Sequence, residues 1–481
     1  MKTFGITQSV CGTGMKTFGI TQSVCGTCRR LVPAKIVSDG TDVYFQKFCP
    51  EHGQQRHRVR SNPDDYLNAQ RHVKPAWMPR EHAGRTDVAC PSGCGFCQRH
   101  EQHLCMPIVE ITSRCDLRCP VCLVDAGAPR DMTPEKFRRL LDALVRAEGQ
   151  VDVLNLSGGE PLLHPELLPL VDEALARSEI VRVSISTNGL ALLEQPELLG
   201  RLRQRNVVVS LQFDGFDDRA YQVLRGRRLL QQKLRILELL ADSGISTSLT
   251  VTAAGGVNDD QFPRLLEYFF AQPHVVSMMI QPVAFAGRAE GLSLPAGRLT
   301  IPDVVELLGG AGVPPVRAED FQALPCSHPL CFSLAFYIIL DGGGAVSLAK
   351  LVDAPRWLDM LANRTIFGLD ESEHQRIKDM IYELWSGPAG VAPDSEAVIR
   401  TLRGVLKEMA ARQFDPRQAF AISERRVKSI FIHAFQDAET FDLARVRRCC
   451  NAYPQPDGTL VPACVQNVLR RTAPAARASG R

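Results

Sequence analysis

No run of about 18 apolar residues occurs in the 481-residue chain, which argues against a spanning helix. The opening MKTFGITQSV lacks the apolar core of a secretory signal. An excess of one charge is missing too. With 56 Lys and Arg against 53 Asp and Glu, the net charge is +3, and nothing calls for nucleic acid or an anionic surface. These absences lead to the expectation of a cytoplasmic protein with no transmembrane segment and no nucleic-acid partner. The chain is long enough for a large core plus appended modules. In a reducing compartment its sixteen cysteines are not expected to form disulfides. Their bunching at short spacings is what metal ligation needs.

Residues 1–13 repeat letter for letter as residues 15–27. So short and perfect a repeat is no solenoid unit, and 1–14 reads as an artefactual duplication. The first copy ends in Gly14 where the second ends in Cys28. Cys11 thus lacks a partner and is given no role. At the other end, 468–481 reads as a frayed, disordered tail.

Between these ends the chain divides by composition. Residues 15–60 and 61–105 are rich in cysteine and turns. From 106 to 287, short β-branched runs at 107–112, 151–156, 181–186, 207–212, 248–253 and 276–281 alternate with amphipathic stretches at 133–148, 165–177, 194–204 and 228–243. The alternation marks βαβ units and a parallel sheet. The runs read as nearly continuous apolar strands, buried on both faces. Thr133 and Pro134 suit the cap and first turn of a helix. The fold class expected is α/β, a partial (β/α)6 barrel, with an open doubly wound sheet as the alternative. In either, working residues belong in loops after the strands' C-terminal ends. Residues 288–467 read as an extension that closes over the barrel, with two helical stretches between 370 and 414.

Cys115, Cys119 and Cys122 follow the first of these strands with C-x3-C-x2-C spacing. Three thiolates bind three irons of a four-iron cluster and leave the fourth open to a ligand. Alone, they would also suit a zinc loop. The next loops add to them: Ser157-Gly158-Gly159-Glu160-Pro161, then Ser186-Thr187-Asn188-Gly189, then Gln212-Phe213-Asp214-Gly215. The glycines let backbone approach a ligand closely. Glu160 suits an ammonium, and the polar residues of the next loop suit a ribose or carboxylate.

Three further groups carry metal-ligand spacing. Cys25, Cys28, Cys49 and His52 form two knuckles fit for one zinc or rubredoxin-like iron. Cys90, Cys94, Cys97 and Cys105 suit a complete [4Fe-4S] cluster. The last group is split: Cys326 and Cys331, then Cys449, Cys450 and Cys464. Four of those five suit a third cluster, with Cys450 favoured over its neighbour.

The ordered loops of 106–287 resemble the radical S-adenosylmethionine (SAM) superfamily. The whole arrangement, from about residue 15 to 467, resembles its branch of tetraether-lipid synthases and pterin methylases, also called molybdenum-cofactor-like radical SAM proteins. The resemblance implies that Cys115, Cys119 and Cys122 hold the cluster that cleaves SAM. It implies that Gly158, Gly159, Glu160 and Pro161 meet the SAM amino group and that Ser186 and Asn188 are further contacts; Gln212 and Asp214 stand at the same end. It also implies two auxiliary clusters and a low-potential electron donor such as flavodoxin or ferredoxin. The reaction expected is C–C bond formation or methylation of a lipid or small molecule. The alternatives are transfer of a methyl or aminocarboxypropyl group to a heteroatom, and a non-catalytic iron–sulfur carrier. An intact Gly158–Pro161 loop argues against the carrier.

Overall fold

The structure is a computed structural model that describes residues 15–72, 75–124, 130–324, 327–351, 395–411 and 424–471, with single positions at 375, 378, 379, 382, 417, 421 and 422. The duplicated start, Cys11, Cys326, most of 352–394 and the end from 472 lie outside the described residues.

The chain opens with β1 (Lys16–Val24), β2 (Leu31–Ser38), β3 (Asp42–Cys49) and β4 (Gly53–Ser61). These form a separate antiparallel sheet in the order β1-β2-β3-β4. Side chains alternate across it, so that Ala34, Ile36, Val43 and Phe45 are buried together under Tyr66.

The six expected strands are present as β5 (Met106–Thr112), β6 (Val151–Gly158), β7 (Ile180–Thr187), β8 (Val208–Gln212), β9 (Thr247–Ala253) and β10 (Val275–Pro282). Each is parallel to the one before it. A doubly wound sheet reverses its strand order at a switch point. This order never reverses, so the β/α path is that of a barrel. Helix Pro134–Glu148 starts as expected, with the Thr133 hydroxyl accepting from Lys136 N–H and Pro at the first position. The helix expected over 194–204 instead breaks into Ala191–Glu194 and Glu197–Gln204. Pro196 lies between them; it has no N–H and bars its predecessor from helical backbone.

The strands are not apolar on both faces, as the runs had suggested. Ile185, Val209, Leu249, Met278 and Ile430 pack with the helices in one core. The opposite face carries serines. Ser186 pairs with Ser210, Ser210 with Ser248, Ser248 with Ser277, and Ser277 with Ser429. Five strands thus place a serine in one continuous row, each half-buried. Barrel interiors are more often filled by bulky branched side chains.

After β10 the sheet continues with β11 (Gln322–Ala323), β12 (Phe332–Ile339), β13 (Ala345–Ser347), β14 (Val427–His433), β15 (Asn451–Pro454) and β16 (Leu460–Pro462). β14 joins β10 in parallel, and β15 joins β5 at the other edge. The extension therefore lengthens the sheet at both edges. Of the helical stretches expected over 370–414, Ser395–Ala411 is a helix; the remainder falls mostly outside the described residues. The order continues past 468, where fraying was expected: Gln466–Arg470 is a π-helix and the Arg471 side chain is only 7% exposed. Among the described residues, no helix is long and apolar enough to cross a membrane.

Candidate active site and metal centres

Cys115, Cys119 and Cys122 share the loop after β5, each half-buried, the first two beside Leu117, Tyr221 and Leu229. The glycine loop after β6 lies directly against it. Gly159 N–H donates to the Thr112 carbonyl at 2.8 Å, and Glu160 N–H to that of Arg114 at 2.6 Å. A Cβ on Gly159 would overlap the Arg114 carbonyl, and one on Gly158, at φ +128°, the Thr112 carbonyl. Both glycines are thus required first by the chain's own backbone.

Glu160 is buried and fully engaged. It accepts from Leu162 N–H at 3.1 Å, the Thr187 hydroxyl at 2.6 Å and Asn188 N–H at 2.7 Å. Burial, only partly offset by these donors, lifts its carboxyl to about 7. Through Thr187 and Asn188, Glu160 ties the loops after β6 and β7 together. Pro161 begins the short turn that follows. Asn188 donates to the Asp116 carboxylate at 2.6 Å, linking its loop to the cysteine loop. Ser186 donates to Asn155 at 3.0 Å.

Asp214 is wholly buried and paired with Arg225 at 2.7 and 2.8 Å. Arg225 in turn hydrogen-bonds the Cys119 sulfur; burial opposes its charge, but Asp214 and Cys119 outweigh that and hold it firmly protonated. Gln212 donates to Asp214 and accepts from Lys233 at 2.8 Å. The Lys233 ammonium also donates to the carbonyls of Asn188 at 2.5 Å and Gln212 at 2.8 Å.

Lys233 and Arg225 were not expected from the sequence. Lys233 did leave a signal, a charge in register with buried Ile236, Leu237 and Leu240 on one helix face. Burial raises the thiols, Cys115 to about 12; it raises Cys122 too, with Cys119 adding to it and Val124, Arg288 and Arg225 opposing it. Bound metal is what stabilises such buried thiols as thiolates.

The first metal group converges. Cys25, Cys28, Cys49 and His52 bring one ligand atom each within 4.8 Å of one another. The first pair lies at the turn after β1, the second at the turn between β3 and β4. Burial pushes the Cys25 thiol up, but hydrogen bonds from Cys28, Thr27 and Gln55 prevail and bring it down to about 6. A softened thiol, two more and an imidazole are a tetrahedral donor set. No other described group is gathered this tightly. Cys119 lies near both other thiols of its loop, its charge raising Cys115 and Cys122 alike. The two nearby guanidiniums, Arg225 and Arg288, offset thiolate charge. The donor set fits a four-iron cluster with one open corner.

The other groups differ from expectation. Burial, with the Cys90 and Cys97 sulfurs beside it, pushes Cys94 up to about 12, so those three are together. Cys105, expected with them, packs instead with Cys331 and Cys450 and bonds through its N–H to the Cys450 carbonyl at 2.9 Å. Cys449, set aside in favour of Cys450, faces Cys464, Cys450 and Cys331, which add to burial in raising it. Cys464 rises to about 11 through burial.

Comparison with known proteins agrees. Residues 109–269 match the radical SAM superfamily, and residues 17–61 match the HMPTM N-terminal zinc ribbon domain. The 7,8-dihydro-6-hydroxymethylpterin dimethyltransferase of Methanocaldococcus jannaschii is 26% identical, with 92% of each chain covered. Mycofactocin maturase MftC of Mycolicibacterium smegmatis is 31% identical over 35% of this chain and 44% of its own. Streptococcus suis SuiB, solved with its precursor peptide SuiA, aligns at a TM-score of 0.36 and 14% identity, covering 43% of this chain and 45% of that one. With a zinc ribbon ahead of a radical SAM domain, the chain is a radical SAM enzyme, and along nearly its full length it is similar to a pterin dimethyltransferase.

Proposed function

We propose that this enzyme methylates a carbon of a small polar heterocycle of the pterin kind. The observation that carries this is the resemblance along nearly the full chain to a pterin dimethyltransferase. The serine row supports it: its hydroxyls, bonded to Asn155, to Thr250 and between Ser277 and Ser248, keep one face of the sheet polar, which suits a ligand rich in donors and acceptors better than a hydrocarbon chain. The lipid substrate is accordingly set aside, and heteroatom transfer is retained only as an outcome of the test.

In this reading Cys115, Cys119 and Cys122 hold the [4Fe-4S] cluster. Held there, such a cluster would supply the single electron for reductive cleavage of SAM. The chain's own residues supply the seat. Gly158, Gly159 and Pro161 form its wall, and Glu160 and Asn188 lock three loops around it. Gln212, Asp214, Arg225 and Lys233 fix its floor, and Ser186 begins the polar interior. Cys90, Cys94 and Cys97 make a second iron–sulfur site. Four of Cys105, Cys326, Cys331, Cys449, Cys450 and Cys464 supply the ligands of a third. Cys25, Cys28, Cys49 and His52 hold zinc. A low-potential flavodoxin or ferredoxin supplies electrons.

The test is anaerobic reconstitution followed by mass spectrometry with SAM and 7,8-dihydro-6-hydroxymethylpterin. Deoxyadenosine together with a methylated pterin is expected. Methylthioadenosine without a methylated pterin would point to aminocarboxypropyl transfer and overturn the proposal; no SAM product at all would leave only a carrier.

A further inference from the structure

Eight residues near the end of the described chain touch all three iron–sulfur-type cysteine groups. Cys464 belongs to the last group and accepts from Gln436 N–H at 3.3 Å. The π-helix Gln466–Arg470 follows, closed by Arg471 N–H to the Gln466 carbonyl at 3.0 Å. Such wide turns are uncommon and concentrate at functional places. Val468 packs with Cys94 in one apolar cluster, and the Arg470 guanidinium donates to the Cys94 carbonyl at 2.7 Å.

Arg471 reaches the other way. It donates to the Leu123 carbonyl, one residue past Cys122, at 2.6 Å and to Asn467 at 2.8 Å. It also pairs with the Glu110 carboxylate on β5 and lies 4.8 Å from the Tyr453 ring centre. A buried planar fork with this many fixed partners is a rigid brace; a lysine would keep the charge without the geometry.

We propose that Cys464–Arg471 is a positioning strap that holds the Cys90–Cys94–Cys97 loop against the Cys115–Cys119–Cys122 loop, with Arg470 gripping the first and Arg471 the second. The inference rests on the reading of those cysteines as cluster ligands. Neither arginine is a catalytic residue; each acts through the backbone of a ligand loop.

The test compares wild type with Arg471→Lys, Arg471→Ala and Arg470→Ala, each full-length and anaerobically reconstituted. Hydrogen exchange and the electron-resonance line of the reduced SAM-site cluster are read out. Exchange across 115–124 should rise about tenfold in both Arg471 variants, lysine giving no rescue, while ribbon amides stay as in wild type. Arg470→Ala should loosen 90–97 instead. The resonance line should shift with Arg471 and not with Arg470. Wild-type exchange at 115–124 in both Arg471 variants would overturn the strap, as would loosening spread evenly over the chain or rescue by lysine. Exchange is readable without turnover. A wild type that leaves SAM intact would therefore defeat the functional proposal while this result still stood.

Discussion

Replacing Lys233 by Met tests the floor of the site. The side chain keeps its bulk and loses three hydrogen bonds, to Asn188 O, Gln212 O and Gln212 Oε1. Each buried acceptor left unpaired costs roughly 1–3 kcal/mol. Part of that is offset. Burial opposes the ammonium and brings it from 10.5 down to about 7, each pH unit of which is worth about 1.4 kcal/mol. A net loss of about 2 kcal/mol at pH 7 is expected, read by urea unfolding. The gap has a sign in pH. Between about 7 and 10.5 the unfolded lysine holds a proton that the folded one has released. Wild type therefore gains on the variant as pH rises through that window, and loses the gain as pH falls back. SAM affinity should fall as well, because the loops after β7 and β8 lose their common anchor. A Met variant that unfolds with wild type at pH 7, shows no widening gap at pH 9 and binds SAM normally would refute the reasoning.

Three other outcomes are expected. Gly159→Ala must displace the Arg114 carbonyl, and SAM cleavage should drop by well over tenfold, with folding intact by circular dichroism. Cys49→Ser should release one equivalent of metal from the ribbon and lower its unfolding temperature by several degrees, while iron content at the other groups stays constant. His433, stacked on Phe332 at 4.0 Å, is lowered by burial from 6.5 to about 3. Its contribution is complete above 6.5 and is lost as acid approaches 3, at up to about 1.4 kcal/mol per pH unit. His433→Phe should flatten that acid limb in a pH series of unfolding curves.

Much of the architecture could be read in one dimension because its causes are local. Thr133 and Pro134 start their helix by capping, and all six barrel strands begin and end within two residues of their β-branched runs. The cysteine spacing and Gly158–Pro161 are contiguous, so they too were legible. What escaped depends on partners far along the chain. The destination of Cys105 is set by β15 pairing with β5, more than 340 residues later. The hold on Arg471 comes from Glu110 and Leu123, and a short basic stretch shows nothing of that. Glu160 reads as an ammonium partner in one dimension, and two of its three internal donors, Thr187 and Asn188, come from a loop that only the fold brings to it. The alternation within β7 and β9 was present in the letters, but the row of serines exists only once five strands are in register.

That row has a practical corollary. A serine ends one bond beyond Cβ, so the interior wall is shaped by backbone curvature and has few rotamers with which to adapt. Narrowing the range of molecules accepted would then be a matter of filling, each Ser-to-Val or Ser-to-Leu exchange at Ser248, Ser277 or Ser429 taking a known volume from the polar face. A graded panel at those three positions could retune which ring system enters while leaving the electron chemistry as it is.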